Sequence, residues 1–233
     1  MAILDQHFYH GTIRLYTSIV GTLFDNIKIQ RSNGDLIKVP LSYAGQQKQN
    51  TRLDENPDPN AARYKMRLPR ISYMLTGFSK DDSRTTNKMH LLQEQNVDRT
   101  TGDGVNTQLN RVPYTFNYEV RIKTKHIDDM LQIIEQIVPY FNPSIKVVVK
   151  DNPDLDSETT VDIALISNSF DDQFEGVFEE GRAIEATLSF DLSGYMYTAT
   201  SQQGVIQTVY INYFDLTDPD DILETDTFTE ADV

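Results

Sequence analysis

The spacing of apolar positions changes several times along the chain, and each change marks an element. Between residues 11 and 25, Ile13, Tyr16, Ile19, Val20, Leu23 and Phe24 recur every three or four positions, which gathers them on one face of a helix. Gly21 interrupts that helix at a cost of about 1 kcal/mol against Ala, so it marks a close packing contact. Ile27–Gln30 then alternates apolar and polar, and Leu36–Val39 returns as a second strand. The intervening Ser32-Asn33-Gly34-Asp35 is hairpin chemistry, because Asn-Gly tolerates positive φ. Leu68–Phe78, with Ile71, Tyr73 and Leu75 on one side, reads as a further strand.

The clearest elements follow. Tyr114, Phe116, Tyr118, Val120 and Ile122 alternate with Thr115, Asn117, Glu119, Arg121 and Lys123, the signature of a strand with one buried face. At Ile127 the period turns helical, through Met130, Leu131, Ile134, Ile137 and Val138. Asp128 and Asp129 occupy the first turn, where the helix dipole favours anions, and Pro139 and Pro143 bracket the exit. Ile145–Val149 is a short β-branched strand, so this strand–helix–strand succession predicts a right-handed crossover. Val161–Ile166, Arg182–Leu192 and Val205–Tyr213 complete seven or eight strands. Ile184, Ala186, Leu188, Phe190 and Leu192 point inward in the second of these, and Tyr195 and Tyr197 extend it. Residues 44–62 and 79–111 are long polar excursions, the second shortened by a strand near Met89. Residues 151–158 and 171–181 read as acidic loops. The pattern predicts one α+β domain over residues 1–214. It has a mixed, mainly antiparallel sheet flanked by two main helices, followed by a flexible acidic tail over 215–233.

Composition sharpens this. A chain of 233 residues with 39% hydrophobic positions can bury a core without staples. The absence of cysteine excludes disulfides and thiolate metal sites. No apolar run reaches the roughly 18–20 residues of a membrane helix, and residues 1–10 lack the pattern of a signal peptide. The expectation is a soluble protein folded in a cytoplasm, with no membrane partner.

The net charge of −14 conceals a division. Residues 1–150 carry 20 Lys/Arg and 15 Asp/Glu, a net of +5; residues 151–233 carry only Arg182 and 20 acids, a net of −19. The acidic part would repel phosphate, which argues against direct nucleic-acid readout. Opposite-sign surfaces suit protein association, while a solvated face with a loose tail would look the same in composition. The basic candidates are Arg63, Lys65, Arg67 and Arg70, leading into the Leu68 strand, and Arg121, Lys123 and Lys125 on the polar side of the Tyr114 strand. The acidic candidates are Asp171, Asp172, Glu175, Glu179 and Glu180.

Catalytic signatures are missing. There is no G-x-S-x-G elbow, phosphate loop, dinucleotide fingerprint or H-E-x-x-H helix. His7 and His10 have no third ligand nearby, and residues 98–104 lack the alternating acids of a calcium loop. The acid pairs Asp81/Asp82, Asp128/Asp129, Asp171/Asp172 and Glu179/Glu180 are adjacent in sequence. Neighbours do not face each other on a helix and point to opposite sides of a strand. A small acid-pair hydrolase built on Asp171 and Asp172 remains the reading from another class. No cofactor and no metal is expected.

Four segments carry a family resemblance. They are Gly11–Arg31 (GTIRLYTSIVGTLFDNIKIQR), Val39–Tyr43 (VPLSY), Leu68–Ser72 (LPRIS) and Asp128–Pro143 (DDMLQIIEQIVPYFNP). The chain resembles, over roughly residues 10–215, the tail sheath stabiliser or tail completion family of contractile-tailed bacteriophages of the T-even type. The last segment is the most specific, with its acid pair, its Q-I-I-E-Q core and its P-Y-F-x-P exit. In the family a late strand carries a tryptophan where Ala186 stands here. The resemblance implies a structural virion protein without enzyme activity, assembled in the host cytoplasm. It implies a hexameric ring at the head-proximal end of the tail, capping the last sheath layer, seated on the tube terminator and facing the neck proteins of the head. The tube terminator itself, a related ring, is the alternative. A ring gives the charge division a use, with Arg121, Lys123 and Lys125 of one subunit against the 151–181 acids of the next.

Overall fold

The structure is a computed structural model that describes residues 7–31, 33–45, 68–87, 89–96, 104–152, 157–173, 183–204, 208–214 and 222–229. In chain order its elements are α1 (Thr12–Phe24), β1 (Lys28–Gln30), β2 (Leu36–Lys38), β3 (Leu41–Tyr43), β4 (Arg70–Lys80), β5 (Leu91–Asn96), β6 (Gly104–Leu109) and β7 (Val112–Thr124). There follow α2 (Ile127–Ile137), β8 (Ser144–Asn152), β9 (Ser157–Gln173), β10 (Ala183–Met196), β11 (Ser201–Gly204), β12 (Thr208–Phe214) and β13 (Ile222–Thr229). Two compact units result, the larger from residues 9–86 and 111–197, the smaller from 1–8, 87–110 and 198–233.

The larger unit is a six-stranded sheet in the order β3-β4-β7-β10-β9-β8. Only β3 and β4 run parallel; every other neighbouring pair is antiparallel. This is the mixed, mainly antiparallel α+β architecture that the periodicity predicts. The crossover expectation fails, however. β7 and β8 are separated by β10 and β9, and the three antiparallel steps leave them opposed in direction. The later strands insert between them, a long-range pairing that local sequence does not encode.

Both helices pack on one side of this sheet. Tyr16, Val20 and Phe24 of α1 are buried, whereas Ile13 lies on the flank at 38% exposure. From α2 the buried stripe is Met130, Ile133 and Ile137; Ile127 and Leu131 are about half exposed. Against these helices lie Phe116, Tyr118, Val120 and Ile122 of β7 and Ile184, Ala186, Leu188, Phe190 and Leu192 of β10, all in one cluster. Phe190 stacks between Phe24 and Phe141, with ring centroids 5.2 and 4.9 Å away. Gly21 is the close contact that its position implies, since a Cβ there would strike the Tyr73 ring and hydroxyl. β1 and β2 form the predicted hairpin, with Gly34 at φ 87° and its N–H donating to the Arg31 carbonyl at 2.8 Å. Gln132 and Gln136 of α2 hold that hairpin by its backbone, accepting from Gln30 N–H at 2.8 Å and donating to the Lys28 carbonyl at 2.7 Å.

The smaller unit contains the sheet β11-β6-β5 and the hairpin β12–β13. The polar excursion 79–111 therefore holds a β-hairpin, Leu91 pairing with Leu109 and Asn96 with Gly104. Thr107 Oγ1 donates to the Ser201 carbonyl at 3.0 Å, and the Gln108 side chain donates to the Thr198 carbonyl. Within the stretch 215–233, Ile222–Thr229 pairs antiparallel with Thr208–Phe214. Most of the excursion 44–62 lies outside the described residues.

Candidate functional site

The side of the six-stranded sheet away from the helices is polar, and register decides which charges share it. One row crosses the sheet as Arg70 on β4, Lys123 on β7, Glu185 on β10 and Asp171 on β9. The next polar row is Ser72, Arg121, Thr187 and Ser169; the one after is Met74, Glu119, Ser189 and Ser167. Alternation places them there, because residues two apart share a face.

Within this patch the charges are paired laterally. Lys123 Nζ lies 3.3 Å from Glu185 Oε2, and Arg121 Nη1 lies 3.7 Å from Glu185 Oε1. Arg121 Nε also donates to the Glu119 carboxylate. Lys123 is buried and Arg121 is half-buried. Arg70 Nε donates to Ser42 Oγ at 3.4 Å on β3. Asp171 is exposed at the far end of the row, and Lys125 is exposed just past the end of β7. Asp172 follows on β9 opposite Ile184. Arg63, Lys65, Arg67, Glu175, Glu179 and Glu180 lie outside the described residues. The structure thus brings Arg70, Arg121, Lys123 and Asp171 onto one surface graded from basic to acidic. Sequence reasoning overlooked Glu119 and Glu185, although each occupies a polar position of a strand whose alternation is plain.

A second polar cluster is buried. Asp151, placed by the sequence in an acidic loop, is instead the end of β8 and 1% exposed. Its carboxylate accepts from the Tyr16 hydroxyl at 2.7 Å and the Tyr197 hydroxyl at 2.8 Å, and its carbonyl accepts from Thr12 Oγ1 at 3.2 Å. The cluster ties the start of α1 to β8 and to the chain just past β10. Burial raises the Tyr16 hydroxyl above its ordinary pKa, and the bond to Asp151 adds to the shift. Burial likewise pushes Tyr197 up to about 12. Beside it, the Arg111 guanidinium stacks 4.2 Å above the Tyr195 ring and donates to Thr159 Oγ1 at 3.1 Å.

The members of the described acid pairs meet different surroundings, and Glu179/Glu180 lies outside the described residues. Asp129 is buried against Arg31, 3.0 and 2.9 Å away, while Asp128 is exposed. Asp81 accepts from Ser83 and Arg84, which together hold its carboxyl down at about 2, and Asp82 meets Lys80. Asp171 and Asp172 occupy successive positions of β9. Among the described residues no group of three or more His, Asp or Glu is placed to hold a metal ion, and no helix is long and apolar enough to cross a membrane.

Among the described residues, the polar face of the sheet carries laterally paired charges. The family described as T4-like virus Myoviridae tail sheath stabiliser matches residues 7–233. The tail completion protein gp15 of Enterobacteria phage T4 is 32% identical over 233 residues, covering 94% of this chain and 84% of that protein. Matched over nearly its whole length, this chain belongs to the tail sheath stabiliser family of T4-like phages and, as a phage tail protein, is a component of the virion.

Proposed function

We propose that the protein forms a ring, six subunits by analogy with its family, at the head-proximal end of a contractile tail. There it caps the last sheath layer, sits on the tube terminator and offers its other face to the neck proteins of the head. The observation that carries this reading is the family match across residues 7–233. The graded polar face of the sheet supports it, because a surface basic at one end and acidic at the other favours head-to-tail order between copies. The ring assembles in the host cytoplasm, needs no cofactor and catalyses no reaction. Many modest contacts repeated around it would hold a loaded sheath by avidity.

The test is to add the purified protein to tails made without it. Electron microscopy should show density at the sheath end nearest the head, with sheaths staying extended. Native mass measurement should give a ring rather than a single chain. Binding to bare tubes as well as to sheathed tails would favour the tube terminator. A chain that stays single and ignores tails would end the reading.

A further inference from the structure

The six-stranded sheet ends in two steps. On one side β3 covers only Ile71–Tyr73 of β4, and among the described residues no strand lies beside Met74–Lys80. On the other side β8 begins at Ser144, opposite Ala164, so no described strand lies outside residues 166–173 of β9. The rows show that the steps are complementary. One row runs Leu41, Ile71, Ile122, Ala186, Phe170, and another runs Tyr43, Tyr73, Val120, Leu188, Asn168. β3 therefore projects at the level where no described strand flanks the outer side of β9. A third row runs Gly77, Asn117, Asp191, Ala164, Ser144, so β8 projects at the level where no described strand flanks the outer side of β4.

Both steps carry the marks of an unfinished edge. The Ile71 N–H donates to the Pro40 carbonyl and the Ala44 N–H to the Tyr73 carbonyl, so the peptide groups of Leu41 and Tyr43 face outward. Open backbone of this kind pairs readily with another strand. Tyr43, Phe170 and Phe78, all at the steps, are each more than half exposed. Arg70 lies one strand in from the outer edge of β3, and Asp171 lies on the half of β9 that no described strand flanks.

We propose that the partner of these edges is a second copy of this chain, joined head to tail by a half-lapped sheet. β3 of one subunit lies antiparallel beside residues 166–173 of its neighbour, whose β8 lies beside Gly77–Lys80 of the first. Straight continuation of the rows puts Leu41 against the neighbour's Phe170 and Tyr43 against the neighbour's Asn168. The same continuation brings Arg70 within two strand spacings, about 10 Å, of the neighbour's Asp171, within reach of an extended arginine. The contact is heterologous, so it closes only by going round. This inference rests on the ring reading and names the joint within it.

The chain has no cysteine, so an introduced pair reports cleanly. Opposed residues in an antiparallel pair have Cβ atoms about 4.5–5.5 Å apart, near enough to bridge on oxidation with a small local shift. The double variant Tyr43→Cys/Asn168→Cys should give a ladder of covalent multimers ending at the ring size, and each single variant should give none. A double variant that keeps its native ring mass but yields no ladder overturns the lap joint and leaves the ring standing. Wild-type chain that is single at every concentration overturns the ring and the joint with it. Charge supplies the second arm. Arg70→Glu and Asp171→Lys should each lose the ring at low salt, and mixing the two should restore it, because each then meets an opposite charge on both sides. Rings untouched by either change would overturn the pairing; recovery on mixing also shows that both variants are folded.

Discussion

The two faces of the six-stranded sheet are made by the same strands and held in different ways. On β7, Tyr118, Val120 and Ile122 are at most 1% exposed beneath the helices. Between them Glu119, Arg121 and Lys123 lie on the other side and neutralise one another and Glu185. The first face draws stability from apolar area removed from water, at about 25 cal/mol per Å². The second draws on charge pairs in partial contact with solvent, individually weak but directional. Damage to the inner face should unfold the subunit. Damage to the outer face should leave a folded subunit that assembles poorly.

The largest expected effect is on the inner face. Phe190→Ala removes the ring between Phe24 and Phe141 at a fully buried site and should cost about 3–5 kcal/mol in denaturant unfolding. The loss should be the same whether or not the protein is assembled. Next comes the buried carboxylate. Asp151→Ala removes the carboxylate to which both hydroxyls donate, leaving Tyr16 to the Tyr195 backbone and Tyr197 to Thr159, a loss of about 1–3 kcal/mol. If Asp151→Ala proves neutral, the cluster is open to water and contributes little to anchoring α1. Smaller again is Glu185→Gln on the outer face, expected at about 1–2 kcal/mol because the pairs are largely but not fully shielded. Unlike the first two, this loss should shrink in high salt, a difference that thermal unfolding at two ionic strengths would reveal.

The inner face was legible because its signal is local. Tyr114 to Ile122 and Ile184 to Leu192 alternate over whole strands, and the structure pairs the two along their length. Three features were not legible. Asp151 sits in a run, Asp-Asn-Pro-Asp, that reads as an exposed turn; only the arrival of Tyr16 and Tyr197 from distant elements makes it interior. The hairpin of β5 and β6 has little apolar alternation, since Gln93, Thr107 and Gln108 interrupt it. Of the candidate interface charges, the sequence singled out Arg121 and Lys123 but not Glu185, because cross-strand pairing is fixed by register and not by proximity in the chain. The basic-to-acidic grading of the outer face was visible only as a difference between the two parts of the sequence; the fold turns it into a direction across one sheet.

The smallest effect at neutral pH, and one that needs no substitution, comes from the phenols of the inner side. Burial pushes Tyr118, on the inner face of β7, and Tyr197, at the Asp151 cluster, each up to about 12 from an ordinary 10.0. For such a group the unfolded chain ionises first, so raising the pH releases more protons from the unfolded than from the folded state. Their contribution is therefore whole below pH 10 and drains away as the pH climbs toward 12. Tyrosinate absorbance followed together with circular dichroism should show two steps, an early one with the fold intact and a later one coincident with unfolding. A single early step that takes all 12 tyrosines while the dichroism holds would mean that the inner face admits water. The contrast between the two faces would then lose its physical basis, because both would be wetted surfaces of one thin sheet.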